Sequence, residues 1–166
     1  PPPPPPPPPP RRPPPPQPHT PIRPAADLDP TSPTIYAQLA YNYQRIEDVR
    51  MAVHFARAGL ALDPGRLPLR RLLIQLLERG GDHFGAIEQI EALLQYEADN
   101  WPLYRHLAYL YLETGQAERI TPMFEGVLAR MDAPAAVRVD IAQVFARIGQ
   151  KEQAEHIYLK LSLIHI

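Results

Sequence analysis

The chain has 166 residues, a net charge of −1 and a pI near 6.7, which makes no general electrostatic case for nucleic acid or an anionic membrane surface. It contains no cysteine, so disulfides, thiol catalysis and thiolate metal sites are excluded. No run of about 18 apolar residues is present to span a bilayer.

Of the 24 prolines, 19 lie between Pro1 and Pro33. Pro1 to Pro10 is unbroken, and Arg11-Arg12, Pro13 to Pro16 and Gln17-Pro18 follow. Each proline locks its own φ and lacks an N–H, so neither helix nor sheet forms there. The accessible state is polyproline II, and residues 1–32 are predicted to be a disordered tether whose proline run spans roughly 30 Å. Arg12, Pro15 and Pro18 also match the R-x-x-P-x-x-P spacing that SH3 grooves read, a second use for the same tail. The chain starts at Pro1 with no initiator Met and no visible signal peptide, which points to a processed chain or a fragment.

From Pro33 onward the sequence repeats. Tyr36-Ala-Gln-Leu39-Ala40-Tyr41-Asn-Tyr43 returns two periods later as Tyr104-Arg-His-Leu107-Ala108-Tyr109-Leu-Tyr111. A 34-residue ruler brings Leu39, Leu73, Leu107 and Ile141 into register, together with Tyr43, Leu77, Tyr111 and Phe145. Gly81, Gly115 and Gly149 align where the first copy has Glu47. The copies are 33–66, 67–100, 101–134 and 135–166, and positions within them are called places 1 to 34 below.

Each copy reads as two helices. The first carries apolar residues at i, i+3 and i+7, as in Tyr36, Leu39 and Tyr43. A glycine that accepts φ > 0 makes the turn. The second helix is predicted, in copy two, from Asp82 to Tyr96 with Ala86, Ile90 and Leu93 inward. Pro64 stops the second helix of copy one, while Pro68 and Pro102 sit in first turns where a missing N–H costs nothing. Pro122 is the exception. Thr121 is expected to cap a helix that begins at Pro122 and is one turn short.

These features resemble the tetratricopeptide repeat, across residues 33–166. Its pattern has a bulky residue at place 4, Leu at 7, a small residue at 8, an aromatic at 11, Gly near 15, Ala at 20, an aromatic at 24 and Pro at 32. Copy one supplies Tyr36, Leu39, Ala40, Tyr43, Ala52 and Pro64. Copy three supplies Tyr104, Leu107, Ala108, Tyr111, Gly115 and Phe124. Copy four supplies Ile141, Ala142, Phe145, Gly149, Ala154 and Tyr158. Copy two departs, with Ile74 at the small place and Ala98 in place of Pro. The resemblance implies an all-α, right-handed solenoid of about eight helices in antiparallel hairpins. It also implies that places 8 and 20 meet where the helices come closest. Ala40 with Ala52, Ile74 with Ala86, Ala108 with Ile120 and Ala142 with Ala154 each set at least one alanine against its partner, as a close contact requires.

No catalytic motif is present: no H-E-x-x-H, phosphate loop, G-x-S-x-G or dinucleotide fingerprint. The expectation is a non-enzyme without cofactor or metal. The six histidines read as surface polar groups, since none pairs with another at helical spacing. Glu88 and Glu91 read as a solvated helix edge, and the tyrosines at places 4 and 11 as core.

The resemblance places a concave groove along the first helices, lined from places 2, 5, 9, 12 and 13. Copy one contributes Tyr41, Gln44 and Arg45, and copy two Arg71, Gln75, Glu78 and Arg79. Copy three contributes Arg105, Tyr109 and Glu113, and copy four Gln143 and Arg147. Five arginines against two glutamates, with tyrosines between, suit a protein or peptide segment bearing carboxylates. The clamp that grips chaperone C-terminal tails in this family is not matched: its places fall on Ala37, Tyr41, Leu72, Pro102 and His106, or on Arg71, Gln75, His106, Ala136 and Asp140.

The leading functional reading is a protein-interaction scaffold. Residues Gln38–Tyr41 and Gln44–Asp48 also resemble repeats of bacterial outer-membrane phage-adsorption or exopolysaccharide-export proteins, which carry a periplasmic tetratricopeptide region. A third reading is the adaptor region of a larger enzyme such as a glycosyltransferase. The compartment is left open between cytoplasm and periplasm. The apolar end, Leu161 to Ile166, stands where a solenoid normally has a polar capping helix. It resembles translated adaptor sequence, so 161–166 is expected to be artefactual in part and the parent to hold more repeats.

Overall fold

The computed structural model describes residues 31–130 and 133–163; the proline-rich segment with Arg12, Pro15 and Pro18 lies outside them. Among the described residues there are eight α-helices, one 3-10 turn and no strand. The helices are α1 (Pro33–Arg45), α2 (Val49–Leu62), α3 (Leu67–Arg79), α4 (His83–Leu94), α5 (Trp101–Glu113), α6 (Ile120–Arg130), α7 (Ala135–Arg147) and α8 (Lys151–Leu163). Consecutive helices pack on one another along the chain, which makes the molecule an α-solenoid. The odd-numbered helices start at residues 33, 67, 101 and 135, the same period as the sequence repeat.

One turn, used four times, joins the helices of each hairpin. The residue after each first-helix C-cap lies in the left-handed region: Glu47 (φ 61), Gly81 (φ 77), Gly115 (φ 73) and Gly149 (φ 84). Its N–H bonds the carbonyl three residues back, and the following N–H reaches the carbonyl five back, as in Asp48 N to Tyr43 O at 3.0 Å and Asp82 N to Leu77 O at 2.8 Å. This is the Schellman closure. Glu47 adopts it without glycine's freedom, so copy one carries strain that the others do not.

The residue after the turn caps the second helix. The Asp48 carboxylate accepts from Met51 N at 3.1 Å and that of Asp82 from Gly85 N at 2.9 Å. Asp82 therefore lies outside α4, which runs shorter than expected, from His83 to Leu94. Copies three and four have Gln116 and Gln150 at this place, and Gln150 is engaged elsewhere: its Oε1 accepts from Thr121 Oγ1 at 2.7 Å. Thr121 is thus not the helix cap that the sequence suggested. A 3-10 turn over Ala117–Arg119 precedes α6, and Pro122 sits within the first α-turn, where no N–H is needed.

All eight residues at places 8 and 20 are buried, at 0–5% exposure. They belong to one continuous apolar core. Tyr104 and Tyr111 are core as expected, but Tyr36 and Tyr43 are only half-buried. Phe55 lies beside both, with ring centroids 6.3 Å from Tyr36 and 5.3 Å from Tyr43.

Place 4 does more than fill volume. Tyr104 O–H donates to Ala98 O (3.0 Å), Arg70 Nη2 to Pro64 O (2.8 Å) and Arg138 Nε to Ala133 O (2.9 Å). In each case a long side chain from the start of a first helix ties down the loop that leads into it. Arg70 is buried, and Gln89 Oε1 accepts from its Nη1 at 2.9 Å. Its Nε is unpartnered among the described residues.

Candidate partner-binding groove

Polar side-chain contacts join the first helices of copies two, three and four. His106 on α5 meets Glu78 on α3, and Arg105 Nη1 on α5 lies 3.8 Å from Asp140 Oδ2 on α7. Asp140 also accepts from Trp101 Nε1 at 3.2 Å. These contacts bring the inner faces of α3, α5 and α7 side by side.

The twelve residues expected in the groove are distributed as follows. On α1, Tyr41 and Arg45 are exposed and Gln44 is half-buried. On α3, Arg71, Gln75 and Arg79 are exposed and Glu78 is half-buried against His106. On α5, Arg105, Tyr109 and Glu113 are exposed, as are Gln143 and Arg147 on α7. Arg105, Tyr109, Gln143 and Arg147 line one open cavity of about 750 Å³.

That cavity holds residues that the sequence reading left out. Leu112 at place 12 is 42% exposed in it, an apolar side chain where copies one and two have Gln44 and Glu78. His106 and Asp140, both at place 6, line it as well. Tyr158 reaches it from α8 and is 42% exposed, whereas its equivalents Ala56, Ile90 and Phe124 are fully buried. A signal for Leu112 was present, an apolar residue at a groove-facing place. For the place 6 pair it was not, because their partners are remote in sequence.

The five arginines divide into two sets. Arg71 is held by Glu97, in the loop before α5, and Arg105 faces Asp140. The Asn100 amide, donating at 2.7 Å, and then the Arg71 guanidinium hold the Glu97 carboxyl below its ordinary value, against the opposing effect of burial. Arg71 and Arg105 therefore each lie beside one of the chain's own carboxylates. Arg45, Arg79 and Arg147 have no carboxylate partner among the described residues.

A second polar cluster corrects the reading of Glu91. It is half-buried, and its Oε1 accepts from Tyr111 O–H at 2.5 Å and from Arg119 Nη2 at 2.6 Å. The Arg119 guanidinium also stacks 4.5 Å from the centre of the Tyr111 ring. Burial, and then the Glu91 hydrogen bond and charge, push the Tyr111 phenol above its ordinary value. This cluster fastens α4 to α5 and the 3-10 turn. Among the described residues no three His, Asp or Glu side chains converge as metal ligands, and no helix is long and apolar enough to cross a membrane.

No family model and no curated protein matches the chain by sequence. Solved structures do match it. MamA is 15% identical, with a TM-score of 0.56 over 81% of this chain and 79% of that one. YrrB, a tetratricopeptide-repeat protein with an unusual peptide-binding site, is 15% identical, with a TM-score of 0.54 over 81% and 70%. PilF from Pseudomonas aeruginosa is 18% identical, with a TM-score of 0.52 over 80% and 61%. The all-helical hairpins, the four equivalent turns and these likenesses together give this chain the fold of a tetratricopeptide-repeat solenoid.

Proposed function

We propose that the chain is a protein-interaction scaffold that holds a segment of a partner protein in its concave groove. The observation that carries this reading is the open cavity of about 750 Å³ along α5 and α7. It presents Tyr109, 57% exposed, between Arg105, Gln143 and Arg147. Tyrosine and arginine concentrate binding energy because each combines a large apolar area with directed hydrogen bonding. An exposed tyrosine set among convergent polar groups contributes nothing to the solenoid core. YrrB, which shares the fold, has a peptide-binding site.

Site-specific photocrosslinking tests the reading. A photoreactive residue replacing Tyr109 is expected to capture partner protein. The same residue replacing Phe84, which is 62% exposed on the second helix α4, is not. Capture from Phe84 with none from Tyr109 would move the binding surface out of the groove.

A further inference from the structure

The charge that a partner would meet in the groove is set at place 13, at the last turn of each first helix. This place reads Arg45, Arg79, Glu113, Arg147. All four side chains are exposed, and none has an ion-pair partner among the described residues. The place 5 arginines differ, since Glu97 and Asp140 lie beside Arg71 and Arg105 and offset part of their charge. A partner carboxylate facing place 5 is also repelled by the internal one, whereas at place 13 it meets an open guanidinium.

Resting on the groove reading above, we infer that the groove selects an extended acidic segment whose charges run minus, minus, plus, minus at a spacing of about three residues, matching place 13. The spacing follows from the architecture. The contacts of Arg105 with Asp140 and of His106 with Glu78 make first helices of successive copies neighbours; neighbouring helices lie about 8–10 Å apart, and an extended chain advances about 3.3 Å per residue. Glu113 makes the code asymmetric, because the third position of the partner must be basic or neutral. Place 9 alternates Tyr41, Gln75, Tyr109, Gln143. Tyr41 and Tyr109 are two copies apart, so they would take apolar anchors about six residues apart on the same segment. The two columns together define a charge register and an anchor register on a single strand. An arginine in a helix's last turn also interacts with the helix dipole; that role affects melting and is blind to the partner's sequence.

Labelled synthetic peptides titrated against the whole chain by fluorescence anisotropy test the inference. Two carry Glu-x-x-Glu-x-x-Lys-x-x-Glu and its reverse, one for each direction of binding, with Leu among the intervening residues. A third, of equal charge, carries Glu-x-x-Glu-x-x-Glu-x-x-Lys. One of the first two is expected to bind about fivefold or more tighter than the third. Arg79→Glu should weaken it by about fivefold, and changing the facing Glu of the peptide to Lys should restore binding. Arg57→Ala, at an exposed arginine on the second helix α2, should stay within about twofold. Equal binding of all three peptides, no binding at millimolar concentration, or an Arg79 loss that the Lys peptide does not rescue would overturn the inference. Tyr109→Ala separates the two readings. If it weakens a peptide that ignores the Arg79 exchange, the groove stands and the register falls. If binding is indifferent to Tyr109 and to every arginine, the groove itself is wrong.

Discussion

Two glycines in second helices offer a matched pair of substitutions with opposite expected signs. Replacing a mid-helix glycine with alanine ordinarily stabilises by about 0.5–1 kcal/mol, because the unfolded chain loses freedom. Gly126 in α6 fits that case, since a Cβ built there meets nothing within 4 Å. Gly59 in α2 does not. Its Cβ would lie 2.8 Å from Leu69 Cδ2 and 3.2 Å from Tyr36 Cβ. The Leu69 methyl ends a flexible side chain, but Leu69 is 1% exposed and its neighbours confine it. Tyr36 Cβ is fixed to the backbone of α1, so the α1–α2 and α2–α3 contacts must both give. Overpacking of this kind costs about 1–3 kcal/mol. The helix-propensity gain is common to both variants and cancels in their difference, which therefore reads the overpacking alone, about 1–3 kcal/mol. Thermal melts followed by circular dichroism should show Gly126→Ala raised by a few degrees and Gly59→Ala lowered, at about 2–6 °C per kcal/mol for this size. Solenoids melt in segments, so amide exchange in α2 and α6 should localise each effect. Equal shifts for the two variants would refute the close approach of α2 to its neighbours.

Three further outcomes are expected. Glu47→Gly relieves a left-handed residue that costs about 1–2 kcal/mol, offset by the extra freedom of the unfolded chain; urea denaturation should show a net gain of about 0.5–1 kcal/mol. Ala108→Leu should destabilise by about 1–3 kcal/mol, because Ile120 already fills the facing place, whereas Ala40→Leu, opposite Ala52, should cost less; equal melting points would show the pairing of places 8 and 20 to be wrong. For Tyr111 the folded phenol is raised above its ordinary value of 10.0. Its contribution is whole below pH 10 and is lost as the pH rises through the folded value, because the unfolded state releases its proton first. Alkaline titration of stability should therefore steepen above pH 10 in the parent and flatten in Tyr111→Phe.

The fold was legible because its determinants are local and periodic. Leu39, Leu73, Leu107 and Ile141 recur in a single register, and Gly81, Gly115 and Gly149 mark turns that need φ > 0. Even the exception was visible: Glu47 stands in the glycine register and adopts the glycine conformation. The sequence reading erred where a side chain found a distant partner. Thr121 had the chemistry of a helix cap, but Gln150, in the next copy, takes its hydroxyl. Glu91 had the spacing of a solvated edge, but Tyr111 and Arg119 fold back onto it. At place 4 the pattern asked only for bulk. The hydrogen bonds that Arg70 and Tyr104 send to the preceding loop depend on a carbonyl direction that no residue identity encodes.

The same distinction decides how the groove should be read. Counting residue types gives five arginines at the groove places of a chain of net charge −1, and by that count each is equally fit to hold a carboxylate. The effective charge depends instead on which guanidinium the chain has already matched. Arg71 on α3 reaches Glu97 in the loop before α5, and Arg105 on α5 reaches Asp140 on α7. Both pairs are partly exposed, so each adds little to stability. Their consequence for binding is larger, because a carboxylate arriving at place 5 is attracted by the guanidinium and repelled by the internal carboxylate beside it. At place 13 no internal carboxylate opposes it. An arginine's place in the repeat therefore says where it points, and only the fold of the chain that follows says whether its charge remains free to act.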